Sequence, residues 1–304
     1  VQFDMGMVDV NYKYWYTNGH LHMEQSYHKG KPHGRWSWWF EHDHNLTFTD
    51  GTWSYNGVNY KAENDEELWN WWWYLNDNKE MEGHYIDGRK NGVWTWWFDT
   101  GIKQSEGNYL DDEMDGLWMY YSPDGSVAEE ITFSGGNLDG RSTHWLTPEE
   151  KQEEKFYKNG KMDGNWVFWY QIGYKHSEGR YKSGKLHGTW QAWYANGNIQ
   201  EMGDYVMDLM DGDWSFWDSI GQLIETGNYQ NGRPIGQHSG WYNSGNKKWR
   251  VNYQSGKLHG SYASWFENGH AEMSGEYKLG VKVGVWNYWF KDGVLKEQKK
   301  YASN

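Results

Sequence analysis

Cysteine is absent from this 304-residue chain, which excludes disulfides and thiol chemistry and leaves the redox compartment unreadable. Long apolar runs are missing as well: no stretch reaches the ~18 residues that a spanning helix needs, so no membrane span is expected. Basic charge is in deficit. A net charge of −13 argues against nucleic acid as a partner, despite rings that are able to stack on bases. Aliphatic residues are sparse, with hydrophobic content at 37% and a mean hydropathy of −1.07, values that in an ordinary chain indicate disorder. Here 25 Trp and 24 Tyr supply the burial that Leu and Ile normally provide. Nucleophile elbows, phosphate-cradling loops and triad signatures are all lacking, and no enzyme is expected.

What the chain does have is a period. A marker glycine stands at Gly92, Gly116, Gly140, Gly164, Gly188, Gly212, Gly236, Gly260 and Gly284, each 24 residues after the last. A fixed period of this length marks a repeat architecture. Within one unit, TWQAWY is a short aromatic run, ANG a turn, NIQEMGDY a second run, and VMDLMDG closes the unit. This reads as a β-hairpin followed by a second turn. Asn196-Gly197 and Asn268-Gly269, with Asp124-Gly125 and Asp292-Gly293, carry the signal for a type I′ hairpin turn. Helix is disfavoured, because glycine recurs throughout each unit and costs about 1 kcal/mol at each helical position. The expected fold is all-β: about twelve consecutive antiparallel hairpins forming a long twisted single sheet, an open rod like a β-solenoid, with residues 1–304 as one repeat domain.

Side chains alternate faces along a strand, so the unit can be sorted by parity. Counting from the marker glycine, position +5 holds Trp15, Trp39, Trp73, Trp97, Tyr121, Trp145, Trp169, Trp193, Trp217, Trp241, Trp265 and Trp289. Position +17 holds Tyr or Phe, from Tyr27 and Tyr85 to Tyr301. The uniformity of these two columns assigns them to the core spine. The opposite parity of the first strand, with Trp36, Trp38, Trp94, Trp96, Trp118, Tyr120, Trp166 and Phe168, gives way elsewhere to Ala192, Gly240 and Ser264. That variability makes it the wetter face and the candidate binding face.

Residues 1–9 fit half a unit, beginning on a second strand. The unit at 34–67 is ten residues too long, with an insertion that must loop out or add a short hairpin and with Trp53 as candidate for the Tyr column. Units are regular from 68 onward, although TPEEKQEEK replaces the hairpin turn after Gly140 with a charged, solvated tip. Asn45-Leu46-Thr47 is a formal glycosylation sequon. A first residue of Val rather than Met points to a removed leader and an extracellular or cell-surface location, with the cytoplasm as the alternative.

The run Ser177-Glu178-Gly179-Arg180-Tyr181-Lys182-Ser183-Gly184-Lys185-Leu186-His187-Gly188, together with Gly-x-Trp-x-x-Trp-Tyr and Asn-Gly upstream, resembles the MORN repeat, and more closely its bacterial variant in YwqK-family antitoxin proteins. The resemblance implies consecutive antiparallel hairpins in a long twisted sheet and a role in protein contacts rather than catalysis.

Candidate sites divide by residue type. His33, His187 and His259 precede marker glycines and are structural turn residues. His20, His22, His42, Asp43 and His44 cluster near the first hairpin tips, but equivalent positions in successive hairpins lie ~9–10 Å apart, too far for a shared ion, so no metal and no cofactor is expected. Asp111, Asp112, Glu113 and Asp115, and Asp208, Asp211 and Asp213, lack a calcium-loop pattern and decorate solvated turns. Three functions fit: a scaffold acting through protein contacts, a glycan binder using the candidate face, and an antitoxin-like intracellular partner. Val1, Phe3, Met5 and Tyr301 mark open sheet edges at the two ends, where pairing of copies head to tail is expected to give an extracellular filament.

Overall fold

The computed structural model describes residues 9–17, 19–41, 78–171 and 173–302, and the backbone of the strands Leu46–Thr49, Thr52–Tyr55 and Val58–Tyr60. The described residues are all-β, with no helix and only antiparallel pairing. The chain divides into two compact units, Val1–Pro148 and Glu149–Asn304, and the boundary falls in the charged stretch after Gly140 that breaks the sequence pattern.

Both units are built from the same element. In the second unit, Lys161–Trp169 pairs with Lys175–Lys182, Gly188–Trp193 with Ile199–Val206, Leu209–Trp217 with Leu223–Gln230, and so on to Val281–Trp289 with Leu295–Tyr301. Each second strand also pairs with the first strand of the following repeat, as Ile199–Val206 does with Leu209–Trp217. The first unit follows the same rule from Val10–Trp15 to Asn137–Thr147.

The two kinds of turn are assigned differently from the sequence expectation. At Asn196-Gly197 and Asn268-Gly269 only the glycine has positive φ, +86° in both. Gly197 donates its N–H to the Tyr194 carbonyl, and Tyr194 N–H to the Asn198 carbonyl, a wider loop in which the glycine closes a type I turn. The type I′ geometry sits instead between repeats, where just two residues join the strands. Asn159 and Gly160, at φ +48° and +74°, separate the paired residues Lys158 and Lys161. Loop length decides the turn type, and two residues joining right-handed strands demand positive φ at both.

The long repeat also differs from expectation. Gly34–Trp39 pairs with Lys79–Ile86, and Gly34 stands opposite Tyr85, so Tyr85 and not Trp53 fills the Tyr column of this repeat. The inserted chain is the tip of one hairpin, closed at its base by the Phe40 N–H to Asn78 carbonyl bond. Inside it three short strands form a sheet of their own, with Trp53 opposite Phe48 and Tyr60. Trp73, Asn45, His42, Asp43, His44, Val1, Phe3 and Met5 lie outside the described residues.

Burial reverses the two faces. The fully buried rings are at +2: Trp94 is 0% exposed, Trp214 1%, Trp286 0%, with Trp118 and Trp36 also buried. Trp38, Trp96, Tyr120, Trp166 and Phe168 on that face are half-buried. The described members of the +5 column are half-buried at Trp39, Trp97, Tyr121, Trp145, Trp169, Trp193, Trp217, Trp241, Trp265 and Trp289, and Trp15 is 59% exposed. The candidate binding face is therefore the packed one, and the +5 column is not the spine. The Tyr column does belong to the core, but its partner is the +2 ring. Trp94 lies edge-on between Tyr85 at 5.1 Å and Tyr109 at 6.1 Å, and Trp286 between Tyr277 at 5.0 Å and Tyr301 at 6.3 Å. Edge-to-face packing of this kind adds about 0.5–1.5 kcal/mol per pair beyond area burial.

Candidate functional site

A thin sheet buries an indole by laying it flat on the backbone, and that requires a bare backbone beneath it. A Cβ placed on Gly83 would lie 2.1 Å from Trp94 Cδ2, and one on Gly203 2.2 Å from Trp214 Cδ2. Gly107 under Trp118 and Gly275 under Trp286 repeat the arrangement. These glycines are the Gly of the Gly-x-Tyr segment, and each lies beneath the +2 ring of the following repeat. The ladder skips the glycine, with Met202 and Asp204 paired across Gly203, and the indole N–H takes the next carbonyl. Trp214 Nε1 donates to Asp204 O at 3.2 Å, Trp94 to His84 O at 3.2 Å and Trp118 to Asn108 O at 3.1 Å.

Part of the variation at +2 is compensation: where the glycine slot holds Ile131, the facing +2 residue is Ser142, and where it holds Val251 the facing residue is Tyr262, although Lys155 faces Trp166 with no such exchange. At Gly227 the slot faces His238, which is 2% exposed, packs edge-on against Tyr229 and Tyr253, and places Nε2 3.0 Å from the Asn228 carbonyl. Lysines close the stack at two places: Lys90 Nζ is 4.5 Å from the Trp94 ring and Lys282 Nζ 4.0 Å from the Trp286 ring. Burial pushes the Lys90 ammonium below its ordinary value, with Asp112 opposing the shift.

The acidic turn residues have structural work. Asp211 accepts the Asn231 N–H, Asp163 the Ser183 N–H, Asp208 the Leu186 N–H and Asp112 the Lys90 N–H, each tying one turn to a neighbour. His33 Nδ1 takes the Asp87 N–H in the same way at 3.4 Å. Among the described residues no three metal-ligating side chains converge, and His22 packs its ring on Tyr16 at 4.3 Å.

What remains open is the +5 face. The backbone uses these residues through their carbonyls: Tyr170 OH donates to Trp193 O, Tyr194 OH to Trp217 O and Tyr242 OH to Trp265 O. Flanking charge differs along the chain. Lys79 ion-pairs with Glu82 and stands over the Trp97 ring at 6.0 Å, and Lys175, paired with Glu178, stands over Trp193 at 5.8 Å. Later repeats replace that glutamate by Thr226, Arg250, Ser274 and Gln298.

Tyr121 is the +5 residue without an indole. Its hydroxyl is pushed up to about 12, first by burial and then by donating to Glu106 Oε1 at 2.8 Å. Folding thus favours the protonated phenol, a contribution that is complete below pH 10 and lost as pH rises through about 12. An alkaline absorbance titration of wild type against Tyr121→Phe is expected to remove the latest-ionising phenol. Loss of an ordinary phenol instead would contradict the assignment.

A family model described as "MORN repeat variant" matches residues 9–29, 90–111, 114–134 and 186–207. Among curated proteins no relative is found. Among solved structures the chain is similar to one described as "Crystal Structure of TcdB2-TccC3" at 10% identity and a TM-score of 0.17, covering 96% of this chain and 19% of that one. A second, "Crystal Structure of TcdB2-TccC3-Cdc42", matches at 10% identity and a TM-score of 0.17, covering 96% and 18%. The chain thus spans about a fifth of the length of the solved chains it matches. In four stretches, then, this chain is similar to the MORN repeat variant, a likeness that suggests a repeat protein working through contacts.

Proposed function

We propose that the chain is a non-enzymatic scaffold that works through protein contacts, and that copies join head to tail through the hairpin Val281–Trp289 and Leu295–Tyr301. The observation that carries this reading is the character of that hairpin. Val281 is 65% exposed and Val294 59%, with Val285, Phe290 and Leu295 also exposed among lysines. Residues 233–302 carry eleven Lys and Arg against five Asp and Glu, in a chain whose net charge is −13. A basic, apolar surface on an otherwise acidic molecule is complementary to the rest of its own kind. Contact between unlike surfaces of identical chains propagates into an open filament unless rotation closes a ring.

Among the described residues, Leu295–Tyr301 pairs on one side only, with Val281–Trp289, and an unpaired strand edge is a template for pairing. Sedimentation velocity at low salt is expected to show species growing with concentration. Substituting Lys299→Glu with Lys300→Glu reverses charge on that edge and is expected to leave monomers. A wild-type protein that stays monomeric at high concentration and low salt would overturn the proposal.

A further inference from the structure

The +5 row holds indoles that the fold does not explain. The structure uses the carbonyls of Trp217 and Trp265, which any residue supplies, yet the residue is Trp at Trp217, Trp241, Trp265 and Trp289 alike. These four rings are half-buried, and their indole nitrogens are neither hydrogen-bonded to protein nor among the buried unpartnered atoms of the described residues. The +2 indoles, by contrast, spend their N–H groups within the protein, on the backbone at Trp214 and Trp286 and on the carboxylates of Glu153 and Glu201 at Trp166 and Trp190. A half-open ring with a solvent-facing donor, recurring once per hairpin, is a binding element. Successive hairpins place these rings two strand spacings apart, ~9–10 Å.

The charge around the row selects the ligand. Beside Trp97 and Trp193 the approach is occupied by lysines paired to glutamates. Beside Trp217, Trp241, Trp265 and Trp289 the same-face neighbours are the facing pairs Ser215 and Thr226, Ser239 and Arg250, Ala263 and Ser274, and Asn287 and Gln298, and Lys247 stands opposite Trp241 in the ladder. Hydroxyls, amides, indole N–H groups and two cations, with no carboxylate in these pairs, complement a ligand rich in hydroxyls, and flat rings at this interval suit stacking on pyranose faces. We infer that Trp217, Trp241, Trp265 and Trp289 form a binding row for an extended, neutral β-1,4-linked hexose chain, whose disaccharide repeat is close to the hairpin repeat. The row lies on the other sheet face from Trp214 and Trp286, which are buried and unable to stack on a sugar.

Trp289 shares its hairpin with the proposed junction between copies, so the test uses both wild type and the Lys299→Glu, Lys300→Glu protein. Tryptophan fluorescence is titrated with cellohexaose and with cellobiose. Cellohexaose, long enough to bridge several rings, is expected to change the emission and to bind at least tenfold more tightly than cellobiose. Binding should be insensitive to salt, and at least tenfold weaker in Trp241→Ala and in the milder Trp241→Leu, whereas Trp97→Ala leaves it unchanged. No emission change with cellohexaose from a folded protein would overturn the inference, as would binding that survives both Trp241 substitutions or is lost in high salt.

Discussion

Replacing Trp214 by Ala is expected to cost about 3–5 kcal/mol, the loss typical of a large buried aromatic, while Trp217→Ala, three residues along the same strand, costs less than half of that. Trp214 is 1% exposed, packs edge-on against Tyr205 at 5.0 Å and donates its N–H to Asp204 O. Removing it leaves a void beside a carbonyl whose donor is gone. Trp217 is half-buried, and its backbone contact to Tyr194 survives truncation. Urea unfolding followed by near-ultraviolet circular dichroism separates the two. Equal losses would show that both rows are core.

The second large effect comes from a residue with no side chain. Gly203→Ile should destabilise by about 3 kcal/mol, the upper end of overpacking losses, because its Cβ falls inside the Trp214 ring at 2.2 Å from Cδ2. The ring is held by Tyr205 and by its own hydrogen bond, so relief requires it to leave the core. Gly197→Ile at a nearby hairpin tip meets no atom within 4 Å, and its cost is confined to its positive φ of +86°. Unfolding midpoints of the two variants in the same buffer rank them, and a smaller loss at Gly203 would contradict the packing described.

Much of this fold is legible from spacing alone. The 24-residue period, the hairpins and the Tyr column follow from glycine positions and strand parity, because each is a local consequence of turn chemistry. The faces are not legible from uniformity, because the uniform +5 column is half-buried and the variable +2 column holds the buried rings. The core residue at +2 shares volume with the slot beneath it in several repeats, where Gly203 admits Trp214, Ile131 faces Ser142 and Val251 faces Tyr262, while Lys155 still faces Trp166. A column-by-column comparison does not see such pairing between positions eleven residues apart. Trp217 and its equivalents are uniform without being buried, since they stand half-open on the other face. The displaced pairing of Gly34 with Tyr85 was hidden because the inserted segment keeps the periodic look of a repeat.

Gly203 and Trp214 occupy one shared volume, and a double-mutant cycle measures the coupling between them directly. Trp214→Ser alone should lose about 3–5 kcal/mol, and Gly203→Ile alone about 3 kcal/mol. Combined, they recreate the Ile131 and Ser142 pair that this chain already uses. The double variant is predicted to be no less stable than Trp214→Ser, a coupling of about 2–3 kcal/mol between residues in direct contact. Strictly additive losses, with the double variant less stable than either single one by the full sum, would contradict the claim that one position determines the other.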